Sequence, residues 1–194
     1  MILPFNEIKA AQCAAALLRL VPSGRMSYVK LVRLMYLVDR RALIDWGHPV
    51  TTDQYVCTNN GPILSRVNAL ITEGSLAPSD WSRYVSTPQG RGDDLEVELL
   101  LHDVPSGELS KAEHCLIEKV FAEHSDENKW QLIEFTKALP EWVDPKGSAI
   151  VLEYRDILRI GGKTEAEVAA IIEELEAHAF AVSFLEPFSS GAML

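Results

Sequence analysis

Cysteine is scarce in this chain. Cys13, Cys57 and Cys115 are its only three, they stand far apart, and none belongs to a Cys-x-x-Cys pair. An odd, dispersed set excludes a disulfide scaffold and a zinc frame, and fits reduced thiols in a cytoplasm. Long apolar runs are missing too; none approaches the roughly 20 residues that span a bilayer. The opening MILPFNEIKAAQ has no basic stretch leading into an unbroken apolar run, so no secretory signal is expected. Positive charge is in short supply: 18 Lys and Arg face 28 Asp and Glu, a net charge of −10. Phosphate-binding surfaces gain affinity by releasing counterions from Lys and Arg, so this chain starts at a disadvantage on nucleic acid. The deficit is sharpest from Thr164 to Leu194, which holds six glutamates and no lysine or arginine. Such a region suits a basic protein partner, although it also simply keeps a protein soluble.

Catalytic signatures are absent as well. There is no G-x-S-x-G, no P-loop and no G-x-G-x-x-G, and Gly90-Arg91-Gly92 and Gly161-Gly162 are too sparse to cradle a phosphate. Five histidines, among them His48, His102, His114 and His124, are spaced without an HxxxH frame and read as surface or capping residues. Asp39-Arg40-Arg41 reads as a local surface ion-pair group, and nothing in the order of residues brings Asp39 to Asp53. No metal, cofactor or enzymatic activity is therefore expected.

What is present is helical. Residues 5–20 form a first helix capped by Asn6; Tyr28 to Trp46 form a second, with Tyr28, Leu31, Met35, Val38 and Ala42 as one apolar stripe, Ser27 as cap and Gly47 as stop. Asp53 to Cys57 then reads as an extended strand carrying Tyr55, and Asn59-Asn60-Gly61-Pro62 as a turn. Pro62 suits the first turn of a third helix, capped by Asn60 or Gly61, with Ile63, Leu64, Val67, Leu70 and Ile71 facing inward and Gly74 at its end. WSRYVST and DLEVELLLHD flank PQGRGD as a β-hairpin with one buried face. Ser110-Lys-Ala-Glu113 and Thr164-Glu-Ala-Glu167 are capping boxes that each open a helix. Lys129 to Leu139 makes a shorter helix, and Ile150 to Ile160 a short helix or extended piece.

There are no repeats and no long linker. The expected architecture is a single α+β, mainly α-helical domain over residues 1–194. It has about six to seven helices and a small β-hairpin or short antiparallel sheet, with about residues 181–194 as a flexible tail. Phe180, Phe184 and Phe188 either dock the last helix on the core or form an apolar strip rimmed by glutamate. Three helices followed by a hairpin is the order of a winged helix. Yet Arg66 is the one basic residue of 62–73, and Asp93, Asp94, Glu96 and Glu98 in the hairpin repel phosphate.

KLVRLMYLVDRRALIDWGHPVTTDQYVCTNNGPILSRV resembles the signature of the SocA-like antitoxin, or Panacea, domain family. The matches are Lys30, Leu31, Leu34, Tyr36, Gly47, Pro49, Thr51, Asp53, Tyr55, Gly61, Pro62 and Val67. LIEFTKALPEWVDPKGSAI and GKTEAEV resemble its C-terminal half, with Thr136-Lys137 where many relatives carry Thr-His. The resemblance implies a cytoplasmic antitoxin, in a phage-associated bacterial family, that neutralises a cognate toxin from the neighbouring gene by direct binding. A DNA-binding regulator and an adaptor delivering a partner to a protease stand as alternatives. The expected contact surface is a groove built from Tyr36, Asp39, Trp46, Asp53, Tyr55, Asn60, Gly61 and Pro62. In it the aromatic residues act as anchors and the carboxylates as partners for basic toxin residues. The other reading of each is fold maintenance, with Tyr36 buried and its hydroxyl bonded and Asp53 satisfying turn amides.

Overall fold

The computed structural model describes residues 3–74, 78–91, 94–101, 104–105 and 107–189, with side chains described as far as Phe184. Expectations placed on Gly92, Asp93, His102 and the Phe188 side chain lie outside the described residues.

Helix α1 (Glu7–Arg19) is capped as its sequence requires: Asn6 Oδ1 accepts from the Lys9 amide at 2.9 Å. A short strand β1 (Arg25–Ser27) leads into α2 (Tyr28–Trp46), which Gly47 ends in the left-handed region at φ 82°. The single apolar stripe expected for α2 is too narrow. Leu31 through Asp39 are buried without a break, because α1, the β-structure and the helices over Lys111–Glu123, Lys129–Lys137 and Tyr154–Ile160 pack around this helix. Ser27 precedes α2 but makes no capping bond, and its hydroxyl is buried without a partner.

Residues Gly61–Leu64 form a strand, β3, and not the expected first turn of a helix. It runs antiparallel to β2 (Tyr55–Thr58), with Cys57 opposite Pro62. Pro62 has no N–H to give, but β3 lies at the edge of a three-stranded sheet, with β2 between it and the strand Ile150–Leu152, and at an edge that loss is tolerated. Helix α3 (Ser65–Thr72) therefore starts later, and neither Asn60 nor Gly61 caps it. The Asp53 carboxylate does, accepting from the amides of Arg66 and Val67, each at 2.9 Å. Asp53→Ala is expected to cost about 1–2 kcal/mol, the usual value of a side-chain cap. Hydrogen exchange should show Arg66 and Val67 losing protection; unchanged protection there would refute the capping role.

Only one arm of the expected hairpin is a strand. WSRYVST begins with a short helix, α4 (Asp80–Tyr84), capped by Ser79, and β4 (Glu96–Glu98) pairs with β1. Bridges Val85–Leu99 and Gln89–Glu96 still join the two arms, and the alternation holds, with Val97 and Leu99 buried between exposed glutamates. The winged-helix order is not kept, since the β2–β3 hairpin falls between α2 and α3.

Helices α5 (Lys111–Glu123) and α6 (Lys129–Lys137) both open on complete capping boxes, from Ser110 and Asn128. His124, after α5, pairs through Nδ1 with Glu127 at 2.9 Å and packs its ring on Phe135. The segment read as helix or extended piece is both. Strand β5 (Ile150–Leu152) pairs with β2, and α7 (Tyr154–Ile160) follows. Helix α8 (Glu165–Ser189) opens on the Thr164–Glu167 box and runs beyond Ala179. It packs on α7 and beside Gly47, where an added Cβ would lie 3.2 Å from Ile171 Cγ1. Among the described residues this makes eight helices and two small antiparallel sheets, a mainly helical α+β fold.

Candidate functional site

Three tyrosines form the centre. Tyr36 on α2 meets Tyr55 on β2 edge-on with centroids 5.5 Å apart, and Tyr55 packs on Tyr154 of α7 at 4.8 Å. The Tyr154 hydroxyl donates to the Asp53 carbonyl at 2.5 Å, fixing the start of β2. The Tyr55 hydroxyl is buried without a hydrogen-bond partner, and burial raises its pKa well above the ordinary value.

The stretch between α2 and β2 is clamped from beneath. Asp39, fully buried, accepts from the Val50 and Thr51 amides at 3.1 and 3.0 Å and from the Thr51 hydroxyl at 2.5 Å. Burial outweighs these donors and pushes its carboxyl from 3.8 up to about 7. It is therefore an internal support, not the surface ion-pair residue expected from Asp39-Arg40-Arg41. Burial also raises the carboxyl pKa of Asp53 despite its two helix amides. Between the two aspartates, Thr52 sits at φ 56°, an uncommon conformation for a β-branched residue. Its hydroxyl donates to the Pro4 carbonyl at 2.6 Å, and the Asn6 amide donates to the Thr51 carbonyl at 3.2 Å. Together these bonds hold the N-terminal arm, residues 3–6, across the loop.

The Asn60-Gly61-Pro62 turn lies at the other end of the sheet and is also held from inside. The buried Arg33 guanidinium donates to the Asn60 and Pro62 carbonyls, and its own burial lowers its pKa to about 10. Gly61, at φ 103°, rests on Thr136 of α6. Lys137, the residue at the departure from the family pattern, lies over the Trp142 ring at 5.4 Å, and Trp142 Nε1 donates to the Thr58 carbonyl. Nearby, buried Glu141 accepts from the Tyr36 hydroxyl at 2.8 Å and from two nitrogens of Arg40.

Of the eight residues expected to form one groove, Tyr36, Asp39, Asp53, Tyr55, Gly61 and Pro62 are thus buried. They brace the elements around them from inside, and Asp53 and Tyr55 also line a cavity beside the N-terminal arm. Trp46, at 38% exposure, and Asn60 reach solvent, and they stand at the two ends, α2 and the hairpin turn. Arg33, Arg40, Thr136 and Glu141 carry much of the bracing and were not in the expected set. Glu141 carries no local sequence signal, because its partners Tyr36 and Arg40 lie on α2, far away in sequence.

The open face near Trp46 is a groove of about 600 Å³. The N-terminal arm and first turn of α1 form one wall, residues 46–52 the base, and α8 from Glu174 to Val182 the other wall. Leu3, Trp46, Val50 and Leu175 give it an apolar lining. Phe180 and Phe184 lie elsewhere on α8, 72% and 61% exposed, and stack on each other at 6.4 Å. A second, smaller cavity of about 310 Å³ lies across the arm, beside Asp53, Arg66 and Tyr154. Asp39, Asp53, Arg33 and Tyr154 are engaged in holding backbone, and no helix among the described residues is long and apolar enough to cross a membrane.

Neither the curated proteins nor the solved structures include a match to the chain. A family model does match: that of the Antitoxin SocA-like, Panacea domain, over residues 31–143. The matched stretch starts inside α2 and runs through the tyrosine pair Tyr36–Tyr55, the aspartate clamp, the hairpin and the Glu141 anchor. Since it takes in more than half of the chain, this protein belongs to the SocA-like antitoxin family, which carries the Panacea domain.

Proposed function

We propose that the protein neutralises a cognate protein toxin by binding it directly, without chemical change to either. Membership of an antitoxin family implies the toxin. The observation that carries the reading is the groove beside Trp46: an apolar concavity, open to solvent, on a chain of net charge −10. Exposed apolar concavities of this kind mark contact surfaces, and aromatic residues at their centre dominate contact energy. The buried Tyr36, Asp39, Asp53, Tyr55, Gly61 and Pro62 serve it by fixing the shape of the elements that bear it.

Co-expression with the product of the neighbouring gene tests the proposal. Growth should be restored, and the two chains should elute as one complex. Trp46→Ala should weaken that complex about tenfold or more while the fold remains, as expected for a central aromatic anchor. Rescue without any complex would overturn the proposal, as would no rescue at all.

A further inference from the structure

The groove's geometry restricts what it holds. Along the α8 wall, Glu174, Leu175, His178 and Val182 project on one side of the helix across residues 174–182, a rise of about 12 Å or two turns. Its lining is mostly apolar, and its polar side chains are dispersed, with Glu7 and Lys9 on α1, His48 and Thr52 in the base and Glu174 and His178 on α8. A small-molecule site has a few polar groups converging on the ligand; the polar groups of this groove are spread over three separate elements. A trough two turns long with a mostly apolar lining instead matches the apolar face of a helix, which presents side chains at i, i+3, i+4 and i+7.

Charge then selects among helices. Lys9, at the α1 end, is already paired with Glu113 at 2.7 Å. Glu7, whose carboxylate also accepts from the Trp81 amide at 3.3 Å, and Glu174 are the acidic groups of the lining, and α8 has no lysine or arginine anywhere along its length. An acidic helix would meet like charge, and so would a second copy of this chain at net −10.

We propose that this groove takes one amphipathic helix of a basic partner, its apolar side on Trp46, Leu175 and Val182 and its Lys or Arg side chains over Glu7 and Glu174. The inference rests on the direct-binding reading above and adds to it the face and the chemistry of the partner. Phe180 and Phe184 lie about half a turn away around α8, and take no part in this contact.

The test uses the full chain and three labelled peptides of about 14 residues, roughly four helical turns. One is a Leu/Lys amphipathic helix, one its Leu/Glu counterpart, and one a Leu/Lys scramble with no apolar face. Fluorescence anisotropy should show the basic amphipath binding, the scramble about tenfold weaker, and the acidic peptide not binding. Raising salt from about 50 to about 300 mM should weaken the basic complex. Glu174→Lys should reduce affinity about three- to tenfold and Val182→Asp more than tenfold, whereas Phe180→Ser/Phe184→Ser should change nothing. Glu174 is exposed, so its variant decides the matter even where Val182→Asp fails to fold. Equal binding of the acidic peptide, no effect of Glu174→Lys, or loss of binding in the Phe180/Phe184 variant each overturns the proposal. The toxin complex separates the two claims. A complex indifferent to Glu174→Lys removes the groove assignment and leaves neutralisation standing. Peptide binding as expected with no toxin complex does the reverse.

Discussion

Asp39→Ala is expected to lower the folding free energy by about 3–5 kcal/mol, read as a shift in the denaturation midpoint with little change in slope. The substitution removes the acceptor for the Val50 amide, the Thr51 amide and the Thr51 hydroxyl at once. Val50 and Thr51 are buried, so water does not replace the lost partner, and each stranded donor costs about 1–3 kcal/mol. The damage should also spread to Thr52 and the arm it holds through Pro4.

Asp39→Asn isolates the charge from the hydrogen bonds. The Asp39 carboxyl is raised from 3.8 to about 7 in the fold. Between these values the folded protein holds a proton that the unfolded chain has released, so the group's stabilising contribution is complete below about pH 4. It is lost as pH rises through about 7. Asparagine stays neutral throughout. The stability of the wild type relative to Asp39→Asn should therefore fall as pH rises from about 4 to 7 and level off above. Parallel curves over that window would show that Asp39 is ionised at little cost.

Gly61→Ala should destabilise by a similar amount, about 3–5 kcal/mol, from two separate causes. At φ 103° an alanine is in a region nearly reserved for glycine, costing about 1–3 kcal/mol. Its Cβ would also lie 2.6 Å from Thr136 Oγ1. That hydroxyl cannot simply swing away, because it is buried and donates to the carbonyls of Leu132 and Ile133 at 2.9 and 3.1 Å. Overpacking of this kind adds about 1–3 kcal/mol. Combining Gly61→Ala with Thr136→Ala relieves the second cause and not the first, so the pair should be non-additive. Additive losses in urea denaturation would mean that α6 yields to the new methyl group.

Elements defined by local chemistry were readable from the chain: the Asn6 cap, the Gly47 stop and the boxes at Ser110 and Thr164 all bond as their spacing requires. Failures came where a distant partner decides. Gly-Pro before an apolar run fits a helix start equally well as an edge strand, and only pairing with Tyr55–Thr58 settles it. WSRYVST has strand-like composition, yet Ser79 caps it into α4 and Trp81 is buried against the core. The site followed the same division. Of the eight residues expected to make contact, the tyrosines and aspartates are buried as interior bracing, and Trp46 alone lines the groove beside α8. The α8 wall carries no signal of its own in sequence beyond its missing lysine and arginine.

The family-matched stretch, residues 31–143, contains the base of the groove at Trp46 to Thr52 and neither of its walls. Those come from residues 3–9 and 174–182, flanks that fold back from opposite ends of the polypeptide. On the proposed reading, these flanks would set what the groove takes, while Tyr36, Asp39, Asp53 and Tyr55 lie inside the matched stretch. A common chassis with separate jaws would let the choice of partner vary apart from the interior bracing.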